Sequence, residues 1–315
     1  NAAASVITLP VSIVAYRCGP WGAVYCFADL DAWLRPWNPL ESMNDADDAF
    51  HHYLEAKLSV DDRSLNKEIF ARFLSDIRNR SAPSIIDIGT GTGAMLRRII
   101  QSGVPPNTDL FGLDPDDRLL HTAQHEIARL LSAEGYRVSE APFHVTGTNT
   151  EGSVTVRFIA GDLLDTSLPQ RLGRRKFDAV TANALMDILP VEDALIAVSR
   201  LLRSPDGLLY ATINYDGVTS FLPLYEDRDF EEKLLEVYNR SMDKRRVNGR
   251  ETGGSRGGSV LYTAAEKLGF EILGYGSSDW CVHPAGGTYR KDDERFLAEL
   301  LAIFYQEESR HPEID

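Results

Sequence analysis

The segment Ile85-Ile-Asp-Ile-Gly-Thr-Gly-Thr-Gly93 carries the densest chemical signal in the sequence. It follows an apolar run that reads as a buried strand and precedes a helix-forming stretch opening at Ala94. Gly89 and Gly91 let the chain turn tightly and leave bare backbone for a ligand, while Gly93 keeps the helix start close to the strand. Gly89-x-Gly91-x-x-Ala94 also satisfies the fingerprint of dinucleotide-binding loops. Asp87, two residues ahead of the first glycine, points elsewhere. A carboxylate there repels a pyrophosphate, but it attracts an ammonium group or orients a water.

Three further positions fall where later strands end. Asp114 lies twenty-one residues after Gly93, where a carboxylate can accept two ribose hydroxyls. Gly161-Asp-Leu163 ends the next strand, where Asp162 can accept from an adenine amino group beside the apolar Leu163. Phe177-Asp-Ala-Val-Thr-Ala-Asn183 ends the fourth. Taken singly, each glycine is a tight turn and each aspartate a cap or a solvated strand end. Together they place four successive strand ends around one crevice, as open α/β sheets do for ligands.

This ordered set resembles the class I S-adenosylmethionine-dependent methyltransferases over about Ser84 to Tyr215. The resemblance implies S-adenosylmethionine as cofactor and S-adenosylhomocysteine as product. It implies that Asp87, Gly89, Gly91 and Gly93 cradle the methionine part and that Asp114 holds the ribose. Asp162 and Leu163 would hold the adenine, and Asn183 would form the floor near the sulfonium. Relatives that modify bases or glutamine carry an Asn/Asp-Pro-Pro-aromatic tetrad at the fourth strand, whereas Asn183-Ala-Leu-Met186 stands here. With the acidic balance, that departure points to O- or N-methylation of a small molecule. In related enzymes a helix ahead of the core covers the cofactor. Arg63, ahead of Lys57, is then expected to meet its carboxylate through a charge-assisted hydrogen bond. A solvated helix pair and a cap by Asp61 are the plainer readings of that stretch.

Methyl transfer needs little beyond alignment and exclusion of water, and an oxygen or nitrogen acceptor can in addition call for a base within hydrogen-bond reach. Asp187 and His283 are the candidate catalytic residues, against a helix cap for the first and strand-end packing before Pro284 for the second. Tyr215 and Tyr225 flank the exit of the fifth strand and, with Trp280, are candidates for the acceptor pocket. Tyr238 and Tyr262 read as core-facing helix residues, and Lys244-Arg-Arg246 with Arg250 and Arg256 reads as a solvated charge run.

The periodicity of apolar residues supplies the elements that position these groups. Leu65, Ile69, Phe70, Phe73, Leu74 and Ile77 share a helical stripe that Pro83 terminates. Runs near Ser84 to Ile88, Asp109 to Leu113, Val154 to Ile159, Phe177 to Thr181 and Leu208 to Ile213 read as strands. Between them fall helices from Ala94 to Gln101, along Leu119 to Leu131, and from Pro190, which suits a first helical turn, to Leu202. This alternation predicts an α/β fold with a mostly parallel sheet and helices on both faces, and the resemblance implies that the sheet is doubly wound and seven-stranded. A C-terminal helix buries Phe296, Leu297, Leu300, Leu301 and Phe304. Two insertions interrupt the pattern. One, from about Tyr136 to Ser153, reads as a hairpin or an excursion before its strand. The other, at 217–258, carries a helix with Phe230, Leu234, Val237, Tyr238 and Met242 and ends in Gly253-Gly-Ser-Arg-Gly-Gly258. Its place after a sheet strand suits a lid, or equally a surface helical pair. The domain reading is an N-terminal extension at 1–42, helices covering the cofactor site at 43–83, and a core at 84–315.

Composition sets outer limits. Against 33 Lys and Arg stand 47 Asp and Glu, a net charge of −14 over 315 residues, which disfavours a nucleic-acid partner. Cys18, Cys26 and Cys281 form no CxxC pair and no complete disulfide framework, which suits a cytoplasmic location and gives no support to a metal site. No apolar run approaches the ~20 residues of a membrane-spanning helix. Residues 1–42 hold Trp21, Trp33 and Trp37 and few charges, which suits a packed extension, either a homodimer contact or a wall of the acceptor pocket. A translated leader ahead of Met43 is the other reading of that stretch. Two rivals to the methyltransferase reading remain: an NAD(P)-dependent oxidoreductase using the same loop, and a non-catalytic cofactor-binding scaffold.

Overall fold

A computed structural model describes residues 5–8, 10–15, 46–221, 227–284, 288–290 and 292–308. The described elements are, in chain order, β1 (Ser5–Thr8), β2 (Pro10–Ala15), α1 (Ala46–Ser64) and α2 (Lys67–Arg78). Next come β3 (Ser84–Ile88), α3 (Ala94–Gln101), β4 (Thr108–Asp114), α4 (Asp117–Ala133), β5 (Arg137–Ala141), β6 (His144–Thr148) and β7 (Ser153–Ala160). The single turn α5 (Leu168–Arg171) leads to β8 (Ala179–Asn183), α6 (Val191–Leu201), β9 (Leu208–Thr212) and β10 (Asn214–Phe221). Last are α7 (Arg228–Asp243), the short β11 (Arg246–Val247) and β12 (Arg250–Glu251), α8 (Gly257–Lys267), β13 (Glu271–Tyr275), β14 (Trp280–Val282) and α9 (Asp293–Glu308). The chain divides into two compact units.

The first unit contains β1, Leu65–Asp216 and Arg246–Ser278. Its sheet runs β13-β1-β9-β8-β3-β4-β7-β6-β5. The seven strands from β13 to β7 are parallel, and β6 and β5 add an antiparallel hairpin at one edge. Among the described residues the sheet thus holds the expected seven strands in parallel, and the added hairpin brings it to nine. The insertion before β7 pairs along β7 instead of leaving the sheet, and β1 enters between β9 and β13.

Side chains alternate across the strands. Ile86, Ile88, Val180, Ala182, Leu209 and Ala211 pack on one face against α6 and α8 in a single buried core. Tyr210 points to the other face, where its ring stacks on Phe73 of α2 at 4.8 Å. Helices thus cover both faces, which is why the central strands β3, β8 and β9 are buried almost along their whole length. α2 follows its predicted stripe, burying Ile69, Phe73, Leu74 and Ile77, and begins where the Asn66 side chain accepts from the Ile69 amide. Pro190 sits one residue before α6 as its cap, with ψ of 103°, where its missing N–H is harmless.

The second unit is built from β2, α1, Gly217–Arg245 and the chain from Asp279 onward. β2 lies between β10 and β14 in a three-stranded sheet. The Phe296 ring of α9 meets Tyr53 of α1 at 6.0 Å and Trp280 edge-on at 5.2 Å. Phe296, Leu297 and Leu300 are buried and Leu301 half-buried, while the Phe304 side chain lies outside the described residues. The expected boundaries shift accordingly. α1 and α2 belong to different units, and the 217–258 insertion is split, α7 going to the second unit and the β11–β12 hairpin to the first. Of the 1–42 extension only β1 and β2 are described, so Trp21, Trp33, Trp37, Cys18 and Cys26 lie outside the described residues.

Beneath the first unit's crevice, one buried aspartate staples three strand starts. Asp178 Oδ2 accepts from the Ser84 amide at 2.8 Å, and Oδ1 lies 3.2 Å from Arg80 Nη1 and 3.0 Å from Arg203 Nε. Its own amide donates to Ser84 O and its carbonyl accepts from Leu208 N. Asp178→Ala strands the Ser84 N–H, so the urea midpoint is expected to fall by the equivalent of ~1–3 kcal/mol with an unchanged m-value. An unchanged midpoint would contradict that account.

Candidate functional site

The glycine loop leaves the C-terminal end of β3 and delivers the chain into α3. Gly89 has φ of +64°, and a Cβ there would come within 2.8 Å of the Leu185 side chain just beyond β8. Gly93 caps α3 at φ +81°, and its missing Cβ would meet Ala123 at 3.1 Å and Ile127 at 3.3 Å. Both neighbours belong to α4. Gly93 therefore lets α3 approach another helix, where the sequence suggested helix against strand.

Two carboxylates hold the loop in shape. Asp87 is paired in register with Thr181 on the adjacent strand β8. Its Oδ1 accepts from the Thr181 hydroxyl at 2.6 Å and its Oδ2 from the Thr90 hydroxyl at 2.7 Å. Asp114 Oδ2 accepts from the Gly91 amide at 2.9 Å, and its Oδ1 from the Asp116 amide at 3.0 Å. Thr90 N in turn donates to Leu113 O. Burial pushes the Asp87 carboxyl up to about 6, against the pull of the two hydroxyls and of Arg98. Burial also raises the Asp114 carboxyl, and its two backbone donors offset part of this. Each carboxylate oxygen keeps a further lone pair for a ligand.

The remaining strand ends complete the crevice wall. Asp162 Oδ1 accepts from the Leu164 amide at 2.8 Å, and Leu163 between them is buried. Asn183 is the last residue of β8. Just beyond it Ala184 takes φ of +52°, and Ile213, after β9, takes φ of +55°. The Ala184 amide donates to Thr212 O at 2.8 Å, so the two left-handed residues sit on adjoining strand ends. A β-branched residue at positive φ is strained, and such strain collects at functional sites.

Asn214 is the residue that the sequence reading missed. It is fully buried, and its Oδ1 accepts from the Met186 amide at 3.1 Å, fixing the turn Met186–Ile188 that carries Asp187. A lone asparagine in Thr212-Ile-Asn-Tyr215, at a strand exit, was the available signal. The same turn is braced by the glycine-rich stretch: Gly253 N donates to Leu189 O and Gly254 N to Asp187 O, both at 3.0 Å. A Cβ on Gly257 would lie 2.4 Å from Asp187 Cβ. This end of the insertion is therefore bonded into the first unit and does not form part of a lid. Tyr215 follows Asn214 and is half-buried.

The first unit thus brings Asp87, Gly89, Gly91, Gly93, Asp114, Asp162, Leu163, Asn183, Asp187 and Tyr215 to the C-terminal ends of its strands. The other expected residues belong to the second unit or lie outside the described residues. Arg63 belongs to the second unit, where it donates to Asp293 Oδ1 at 2.7 Å and to Ser59 O at 3.0 Å. Its guanidinium is committed to a buried carboxylate there. Lys57 pairs with Asp61 and lies over the Trp280 ring, and Trp280 Nε1 donates to Asp61 Oδ1 at 2.9 Å. His283, also in the second unit, is exposed, with Nδ1 3.2 Å from Pro284 O. Tyr225 lies outside the described residues. Among the described residues, no three His, Cys, Asp or Glu side chains are grouped to hold a metal, and no helix is long and apolar enough to cross a membrane.

The raised Asp87 carboxyl has a sign that can be checked. The folded chain holds this proton up to about pH 6 and the unfolded chain only to about 3.8, so stability falls as pH climbs through that window. Asp87→Asn removes the loss. The variant is expected to gain on the wild type between pH 4 and 6 and to be more stable by about 1–3 kcal/mol at pH 7. Superimposed denaturation profiles from pH 4 to 8 would exclude a buried ionised Asp87.

No family model matches the sequence, and no curated protein matches it. Among solved structures, the chain is similar to a SAM-dependent methyltransferase from Thiobacillus denitrificans in complex with S-adenosyl-L-homocysteine, at 18% identity and TM-score 0.30, covering 47% of this chain and 48% of that one. It is similar to the plantazolicin methyltransferase BamL, in complex with a triazolic desmethylPZN analog and SAH, at 18% identity and TM-score 0.35, covering 51% and 49%. A third is SAM-bound CalS10, an amino pentose methyltransferase from Micromonospora echinaspora, at 25% identity and TM-score 0.30, covering 47% and 52%. The chain spans about half the length of these structures. The likeness is one of partial backbone, and the functional reading rests on the chain's own residues.

Proposed function

We propose that the chain is an S-adenosylmethionine-dependent methyltransferase acting on a small-molecule acceptor. The observation that carries this is the Asp87–loop–Asp114 arrangement. In a dinucleotide site the loop amides receive pyrophosphate oxygens. Here the Gly91 amide is already given to Asp114, and a second buried carboxylate lies under Thr90. Such a site repels phosphate and suits a ligand that pairs a ribose with positive charge.

The residues fit that ligand. Asp114 offers lone pairs to a ribose diol, and Asp87 to an ammonium group. Asp162 and Leu163 are a hydrogen-bond acceptor and an apolar surface for adenine, and Asn183 is the floor beside the sulfonium. When bound, the cofactor supplies an electrophilic methyl group; the protein's part is to align the acceptor and keep water out. Asp187, fixed by Asn214 and the glycine stretch, is favoured over His283 as the group that takes the acceptor's proton, and Tyr215 is favoured as an acceptor contact. The small-molecule acceptor is supported by the acid surplus and by Asn183-Ala-Leu-Met186 in place of a Pro-Pro-aromatic tetrad. O- and N-methylation are equally compatible with these groups.

Isothermal titration with S-adenosylhomocysteine tests the reading. The wild type is expected to bind it, and Asp114→Ala to weaken it by ~1–3 kcal/mol, the loss of a charged hydrogen-bond partner. Tight NAD binding without any response to S-adenosylhomocysteine would overturn the proposal in favour of an oxidoreductase. Binding an ammonium group requires Asp87 ionised, so affinity should drop as pH falls below about 6. In Asp87→Asn it should be weaker and flat over that range.

A further inference from the structure

A groove beside the turn after β7 shares only Leu163 with the residues assigned to the proposed reaction. It encloses about 320 Å³, within the size range of small-molecule sites, and all its lining residues belong to the first unit. Its walls are the turn from Leu163 to Pro169, the outer side of α6 and the β11–β12 hairpin. Leu164, Leu168, Ile196, Ala197 and Val247 give it an apolar floor, and Ile196 stays 37% exposed on a helix whose solvent side is otherwise polar.

Charge decides what suits this floor. Both acids on the rim are matched by a cation: Asp193 accepts from Arg250 at 2.8 Å, and Asp165 lies 3.6 Å from Arg171 and also accepts from the Ser167 amide and hydroxyl at 2.8 Å each. Arg200 of α6 also lines the groove, and its backbone carbonyl accepts from Lys176 Nζ. Its guanidinium makes no hydrogen bond or ion pair among the described residues. Asn248, at the tip of the hairpin with φ of +51°, and Thr166 add polar groups to the same lining. One uncompensated cation beside an apolar floor is the complement of an apolar body with a single carboxylate. The Leu164 amide is held by Asp162, the residue assigned above to adenine, so the groove and the crevice share one turn.

We propose that this groove is a second ligand site for a small amphipathic carboxylate, its head on Arg200 and its body on Leu164, Ile196 and Val247, coupled to the crevice through the Asp162–Leu164 turn. The coupling rests on the cofactor assignment; the binding does not. Titration with 4-phenylbutyrate, monitored by calorimetry and amide resonances, tests it, with 4-phenylbutanol as the uncharged control. Saturable one-site binding is expected, about tenfold weaker for the alcohol and for Arg200→Glu, as for one lost charged hydrogen bond. Ala197→Trp, checked for an unchanged thermal midpoint, should fill the groove and abolish binding. Absence of saturation, or equal affinities for acid, alcohol and Arg200→Glu, would overturn the site. With S-adenosylhomocysteine binding established first, a shifted 4-phenylbutyrate affinity in its presence supports the coupling. An unshifted affinity overturns the coupling.

Discussion

A carboxylate placed in the interior must find donors, and in the first unit that requirement organises everything around the crevice. Asp87 finds them on both sides, in Thr90 of its own loop and Thr181 of β8. The strand order reverses between β3 and β8: β4 and β7 lie on one side and β9 on the other. The Asp87–Thr181 bond therefore spans the topological switch point, where the loops above the sheet part to opposite faces and leave a crevice. Asp114 repeats the device one strand away by holding Gly91. The loop is shaped by carboxylates before any ligand arrives, so the site begins with a negative floor.

This floor was legible because it is local. Glycines that turn a chain, aspartates at strand ends and apolar runs of four to eight residues all announce themselves within short windows. α3 falls where its pattern placed it, and β3 matches residue for residue. What stayed hidden depends on distant partners. Nothing near Arg63 marks Asp293 as its mate, and nothing near Trp280 marks Asp61. Gly93 was legible as a close approach but not as an approach to α4, since Ala123 and Ile127 lie thirty or more residues on. Asn214 was hidden for another reason: a buried amide that accepts from a backbone N–H looks, in sequence, like any polar residue after a strand.

The 217–258 insertion shows how one continuous stretch can carry two structural fates. α7 packs among the elements of the second unit, while the chain from Arg246 returns to the first. The return is secured by backbone bonds from Gly253 and Gly254, and by Asp216, which accepts from the Ser259 amide and hydroxyl at the start of α8. Glycine there is a packing requirement, because Gly253 and Gly257 lie against the Asp187 backbone with no room for a side chain. The compact turn near Asn183 is held by this packing, and Asp187 owes its fixed place to residues some seventy positions later in the chain.

The position of β1 carries a consequence for how the sheet assembles. Ser5–Thr8 pairs along β9 at Leu208 to Tyr210 and along β13 at Glu271 to Tyr275. Its two neighbours are thus about 200 and 270 residues away along the chain, among the most non-local contacts the sheet contains. The chain between them can form local structure on its own, but this strand gains both of its edges only after β13 exists. During synthesis β1 is made long before β13 and can be seated between its two neighbours only late, and until then β9 and β13 present unpaired edges open to other strands.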